Sequence, residues 1–142
     1  ELLKDENGAP QPSDGTYWSL SHKPEYVGGV VARQKIGIDI ERIKPCSQGL
    51  FRKTAHDTEW NLMAEEEPFH RFFRCWTAKE AVLKASATGI KDLLKCRIHR
   101  IIDNYHLEID YGNKLWQLEH CFFHDHIASI VQNNFKIEWT IL

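Results

Sequence analysis

The spacing of apolar residues changes twice along this chain. Between residues 17 and 41 they come in short clusters: 17–20 and 27–32 hold β-branched and aromatic residues on either side of Ser21-His22-Lys23-Pro24. In Ile36-Gly37-Ile38-Asp39-Ile40-Glu41 they alternate strictly. Such patterns predict three short strands, the last with its isoleucines on one face and Gly37, Asp39 and Glu41 on the other. From residue 69 to 87 the spacing lengthens: Phe69, Phe72, Phe73, Trp76 and Leu83 form one stripe. That stripe predicts the longest helix of the chain, with Pro68 in its first turn and Gly89 as its C-cap. A shorter helix is predicted over 57–67 with Thr58 as N-cap, while 45–54 reads as irregular. Beyond the long helix the period returns to two, predicting strands at 97–102, 105–110, 114–123 and 127–132, with hairpin turns at Asp103-Asn104 and Gly112-Asn113. Residues 1–16, rich in Gly, Pro and short polar residues, read as a loop segment ahead of a domain spanning 17–142. The fold class expected is α+β, a long helix packed on an antiparallel sheet.

Composition narrows the function classes. The chain has 142 residues, 42% apolar and 27% charged, with five Trp and seven Phe, which is enough for one real core and argues against disorder. Eighteen Lys and Arg against 20 Asp and Glu leave no polybasic character, so nucleic acid is not an expected partner. No apolar run approaches the ~20 residues that cross a bilayer, and Glu1-Leu2-Leu3-Lys4-Asp5-Glu6 has no signal-peptide pattern. A cytoplasmic protein without a membrane partner is expected. The chain opens on Glu1 and not on Met, which reads as a processed form or a piece of a longer protein. Cys46, Cys75, Cys96 and Cys121 are widely spaced and read as reduced, buried thiols. His120, Cys121, His124 and His126 are the densest set of transition-metal donors, but no second ligand pair has zinc-site spacing, so structural or surface histidines are expected. Arg71 and Arg74 are expected on a solvated helix face.

The acids carry the chemistry. Asp39 and Glu41, two apart on a strand, place their carboxylates on one face about 7 Å apart along the backbone, where they repel unless solvated or bridged by a cation. Glu80 falls inside the apolar stripe of the helix, four residues after Trp76, and a carboxylate there needs a partner. Lys84, four residues on, offers an ordinary ion pair; alternatively strand and helix face each other and three carboxylates converge on a hard divalent cation, for which Mg2+ fits best.

Residues 36–41, followed 35 residues later by Trp76-Thr77-Ala78-Lys79-Glu80-Ala81-Val82-Leu83-Lys84, resemble the paired signatures G-[IV]-D-x-E and W-x-x-K-E-[AS]-x-x-K of the 4'-phosphopantetheinyl transferases. Gly8-Ala9-Pro10 and Trp18-Ser19-Leu20-Ser21-His22 resemble two further motifs, G-K-P and F-S-x-S-H-S, of the larger, surfactin-synthetase-activating type. Ala9 stands in place of the basic residue and Lys23 in place of the second serine. The resemblance implies a transferase-like fold and an enzyme that moves the 4'-phosphopantetheine arm from coenzyme A to a serine of an apo carrier protein, releasing adenosine 3',5'-bisphosphate. It implies Asp39, Glu41 and Glu80 as Mg2+ ligands, Lys84 beside the pyrophosphate, and Ser21, His22 and Lys79 among the coenzyme A contacts. Glu80 and Lys84 are then the catalytic pair, with Glu80, or a water it orients, as the base. Glu59 matches a further acid, against the plain reading of a solvated helix face. Because the larger type has two similar halves, the resemblance also implies either a missing N-terminal half or a homo-oligomer. The alternative is a degenerate, non-catalytic module that binds coenzyme A or a carrier protein.

Overall fold

A computed structural model of the chain describes residues 3–6 and 8–142. Glu1, Leu2 and Asn7, inside the segment read as loop, lie outside the described residues. The elements run β1 (Tyr17–Lys23), β2 (Tyr26–Ala32), β3 (Ile38–Arg42), α1 (Gln48–Thr54), α2 (Asp57–Leu62), α3 (Pro68–Ala85), β4 (Arg97–Ile101), β5 (His106–Tyr111), β6 (Lys114–Phe123) and β7 (His126–Val131). β1 and β2 form a two-stranded antiparallel sheet, and the other five strands form a second, in the order β3-β7-β6-β5-β4. α3 lies across β3 and β7, so the α+β architecture expected from the periodicity is the one observed.

Two tight turns set the register of the larger sheet. Gly112 and Asn113 both have positive φ (62° and 59°), the geometry of a two-residue hairpin whose twist matches its strands. His124 and Asp125 do the same between β6 and β7 (44° and 62°), at a place where the sequence announces no turn. Gly37 meets a different demand. A Cβ there would sit 2.0 Å from the Ala81 carbonyl oxygen, so only glycine lets the entry to β3 lie against the backbone of α3. The alternation in β3 holds, and both of its faces are covered. Ile38 and Ile40 lie against Gly28 of β2, while Asp39 lies under α3. The core between helix and sheet is built from Ala78, Ala81, Val82, Leu107, Leu118 and Val131 among others.

Several expectations are corrected. Residues 48–54, read as irregular, form α1, capped by the Ser47 hydroxyl; its one buried aromatic, Phe51, packs on Trp60 and Phe72 of the following helices and leaves too few turns for a visible period. The N-cap of α2 is His56, not Thr58, in a reciprocal capping box with Glu59, and the helix ends at Leu62 instead of Glu67. α3 begins at Pro68, as expected, but stops at Ala85. Its left-handed C-terminal residue is Ala87 (φ 57°), with Thr88 N donating to Leu83 O at 2.9 Å, and not Gly89. Arg74 is not on a solvated face. It is buried, bonded to Glu66 at 3.0 Å and to the Asp103 and His106 carbonyls, so the guanidinium ties α3 to the β4–β5 connection. All four cysteines are free; Cys75 and Cys96 are buried, and burial pushes both thiols up to about 12. No described helix is long and apolar enough to cross a membrane.

Candidate active site

β3 carries Asp39 and Glu41 on the face turned to α3, and α3 carries Trp76, Glu80 and Lys84 along one line, four residues apart. The two signatures meet directly: Trp76 Nε1 donates to Glu41 Oε1 at 3.3 Å across 35 residues of sequence. Asp39 is 5% exposed, and its Oδ1 lies 2.9 Å from Lys84 Nζ and 3.3 Å from Ser21 Oγ. Its other oxygen, Oδ2, is buried without a hydrogen-bond partner. Glu41 Oε2 takes the Lys23 ammonium at 2.9 Å. Glu80 is half-buried and forms no ion pair within 4 Å among the described residues. Of the two alternatives for Lys84, the i,i+4 pair with Glu80 is not formed: the ammonium goes to Asp39, the more deeply buried charge.

Three carboxylates share two ammonium groups, and the imbalance shows in their protonation. Burial, reinforced by the charges of Asp39 and Glu41 and opposed by Lys84 and Lys23, pushes the Glu80 carboxyl up to about 7. Burial likewise raises Asp39, with Lys84 pulling it down and Glu41 pushing it further up. A hard dication suits such a set: every donor is oxygen, one buried oxygen is unpartnered, and one carboxylate's worth of negative charge is unmatched. As the side chains stand, two acids are turned onto ammonium groups. Accordingly, no three acid, histidine or cysteine side chains among the described residues are arranged to hold a metal ion.

The remaining sequence-derived residues divide. Ser21 reaches the cluster, where its hydroxyl is engaged between strands: Oγ donates to Asp39 and accepts from Ile40 N at 3.0 Å. His22 is exposed, and strand alternation sets it on the opposite face of β1 from Ser21 and Lys23. Lys79 is not brought to the cluster. Its ammonium is fully buried, 2.7 Å from Glu59 Oε1 and 2.8 Å from the Thr54 carbonyl oxygen. Glu59 is neither a solvated residue nor a member of the cleft; besides Lys79 it accepts from His56 N and Ile98 N at 2.8 and 2.9 Å. His120 is buried with Nδ1 2.7 Å from Ser129 Oγ, and His126 Nδ1 meets the His124 carbonyl at 2.7 Å.

Beside Lys84 lies a cavity of about 340 Å³, bounded by Gly8-Ala9-Pro10, by Trp18 and Leu20 of β1, and by Thr88 beyond α3. The N-terminal loop is held there by Trp18 Nε1, which donates to Gln11 O at 3.2 Å. Sequence reasoning did not single out Lys23 as the Glu41 partner or Ser19 as a strand contact. The signal that could have found them is the alternation of Ser19, Ser21 and Lys23 on one face of β1.

Residues 35–135 match the sequence profile of the 4'-phosphopantetheinyl transferase superfamily. Individual proteins are similar too. The chain is 34% identical over 90 residues to 4'-phosphopantetheinyl transferase HetI of Nostoc sp. (strain PCC 7120), covering 59% of this chain and 38% of that protein. It is 30% identical over 90 residues to 4'-phosphopantetheinyl transferase gsp of Aneurinibacillus migulanus, covering 61% and 38%. The same identity and span hold for 4'-phosphopantetheinyl transferase Sfp of Bacillus subtilis (strain 168), covering 59% and 40%. The chain thus spans about two fifths of the length of the curated relatives it matches.

Proposed function

This chain belongs to the 4'-phosphopantetheinyl transferase superfamily, and from that premise we propose that its acidic cleft serves Mg2+-dependent transfer of 4'-phosphopantetheine from coenzyme A to a serine of an apo acyl or peptidyl carrier protein. Adenosine 3',5'-bisphosphate leaves. The observation that carries the reading is the charge imbalance at Asp39, Glu41 and Glu80: two ammonium groups for three carboxylates, a buried orphan oxygen on Asp39 and a Glu80 carboxyl held near 7.

Asp39, Glu41 and Glu80 would hold the cation, which when bound supplies neutralisation of the pyrophosphate charge. With the acids turned to a cation, Lys84 and Lys23 would face phosphate oxygens, and Lys84 adjoins the cavity through which the coenzyme would approach. Trp76 holds Glu41 from the helix side, so strand and helix present their acids together. The carrier serine must lose a proton as its oxygen attacks, and Glu80, or a water it orients, would accept it. The exposed Val27 and Val31 on β2 offer an apolar edge on which a second copy or a preceding half would pack.

The second reading, a non-catalytic coenzyme-A- or carrier-binding module, is favoured by one observation: Lys84 is fully engaged and Lys79 is buried, so two expected coenzyme A contacts are committed to protein oxygens. One assay separates the two. Incubating the chain with coenzyme A, Mg2+ and a panel of apo carrier proteins should add the mass of the arm to at least one carrier. Asp39→Ala and Glu80→Ala should abolish that gain. Saturable coenzyme A binding without any mass gain would establish the second reading instead.

A further inference from the structure

The segment ahead of β1 is paired with itself where it meets the cavity beside Lys84. Gln11 N donates to Leu3 O at 2.7 Å and Asp5 N to Ala9 O at 2.8 Å, with Lys4 bridged to Pro10 between them in antiparallel sense. The Asp5 side chain closes the turn, its Oδ1 accepting from Ala9 N at 2.9 Å. Trp18 of β1 then pins the returning arm through its bond to Gln11 O. A paired and anchored backbone thus delivers Lys4 to the wall of the cavity. Two charged side chains line that cavity, Lys4 and Lys84, and both are cations; among the described residues no acid lines it. Trp18, Leu20 and Leu83 give it apolar walls and Thr88 a hydroxyl. The two ammonium groups differ in what they hold. Lys84 donates to Asp39 Oδ1 and to the carbonyls of Ile38 and Leu20. Lys4 is exposed, and its ammonium has no ion pair or hydrogen bond among the described residues.

We propose that Lys4 is a specificity-determining residue of this cavity, where its ammonium takes a phosphate monoester of the bound ligand. A cavity whose charged walls have one sign concentrates anions, and a lysine meets a phosphate as a point charge with three donors on a flexible stem. The identity of the ligand rests on the transferase reading. Coenzyme A carries two separate anionic groups, the pyrophosphate and a monoester phosphate on the 3' oxygen of its ribose. Lys84 stands beside the acids, and so beside the pyrophosphate under that reading, which leaves the 3'-phosphate to the second cation. Ala9, standing where the motif that this segment resembles has a basic residue, lies on the arm that pairs with Lys4. The hairpin therefore returns a positive charge to the same cavity from the opposite arm. Since the 3'-phosphate takes no part in bond making or breaking, Lys4 acts on affinity for the coenzyme and not on turnover.

Calorimetric titration of the full chain with coenzyme A and with 3'-dephospho-coenzyme A, each in the presence of Mg2+, tests this without a carrier protein. The parent should bind coenzyme A about fivefold or more tightly than the dephospho compound. Lys4→Ala should weaken coenzyme A by about fivefold and the dephospho compound by less than about twofold, so that the preference collapses. Lys4→Arg, which keeps the charge, should retain the preference within about twofold. Adding Ala9→Lys to Lys4→Ala should recover most of it, because both positions line the cavity. Raising the salt concentration should narrow the preference of the parent and leave Lys4→Ala unchanged. An equal loss for both compounds would show that Lys4 acts through general charge alone and would overturn the assignment. So would an unchanged preference in Lys4→Ala, or a parent that binds neither compound. Mass gain on apo carriers reads the transferase function separately. If no carrier gains mass while Lys4→Ala still collapses the preference, the transferase reading fails and the role of Lys4 stands. If transfer proceeds and the preference ignores Lys4, the transferase reading stands and the role of Lys4 falls.

Discussion

Lys79 and Glu80 are neighbours on α3, and their surroundings could hardly differ more. Lys79 and Glu59 are 0% and 2% exposed at their side chains and 2.7 Å apart, and Thr54 O, His56 N and Ile98 N add further bonds to the pair. One residue on, Glu80 shares its surroundings with Asp39 and Glu41, two ammonium groups serve three carboxylates, and protonation makes up part of the deficit. The first region is charge-matched and holds α3 to α2 and β4. The second is left short of positive charge, the deficit on which the proposed cation site rests. A matched buried pair is costly to break, whereas an unmatched cluster can lose a member and gain stability.

That contrast can be tested from its largest effect downward. Lys79→Ala leaves the Glu59 charge buried without its partner and should destabilise the fold by about 3–5 kcal/mol in urea unfolding; a loss under ~1 kcal/mol would mean that Glu59 is not held as an ion pair. Gly37→Ala forces a methyl against the Ala81 carbonyl and should cost about 3 kcal/mol, since backbone and not a flexible side chain must yield. Glu80→Gln should abolish transfer while leaving stability within about 1 kcal/mol of the parent, or raising it. If it destabilises as much as Lys79→Ala, the two regions are alike and the contrast is lost.

A pH titration sharpens the same point. The Glu80 carboxyl is raised from its ordinary 4.5 to about 7 in the folded chain, so between those values the folded state binds more protons than the unfolded one. Stability should therefore fall as pH rises from 4.5 to about 7, with Asp39, also raised, contributing in the same direction. Melting temperatures of the parent and of Glu80→Gln across that range should show a shallower fall in the variant. Added Mg2+ should stabilise the parent more at the upper end of the range than at the lower, because it competes with protons for the same oxygens. The smallest effect lies away from both regions: Ala87→Gly relieves a left-handed backbone at the end of α3 and should add about 0.5–1 kcal/mol.

Much of the fold and of the site is legible in the sequence, and the gaps have physical causes. Period-two and period-four spacings locate β3, α3 and the four C-terminal strands because each depends only on near neighbours. They fail at α1, whose seven residues bury one aromatic, and at the His124-Asp125 turn, which lacks glycine. The acids are legible for the same local reason: two residues apart on a strand, or four apart on a helix, fixes a shared face. Their partners are not. Lys84 lies four residues from Glu80 and yet pairs with Asp39, 45 residues away, and Arg74 leaves its helix face for carbonyls of a loop about 30 residues on.

The sequence by itself therefore determined the strands and the long helix, the faces on which Asp39, Glu41, Glu80 and Lys84 stand, and the family those signatures mark. Only the tertiary structure decided which ammonium meets which carboxylate, that Lys79 turns inward to Glu59, and that serine hydroxyls join β1 to β3. The physical reason is range. Backbone periodicity is a property of adjacent residues, whereas burial decides how much an unpaired charge or amide costs, and burial exists only once distant segments have packed.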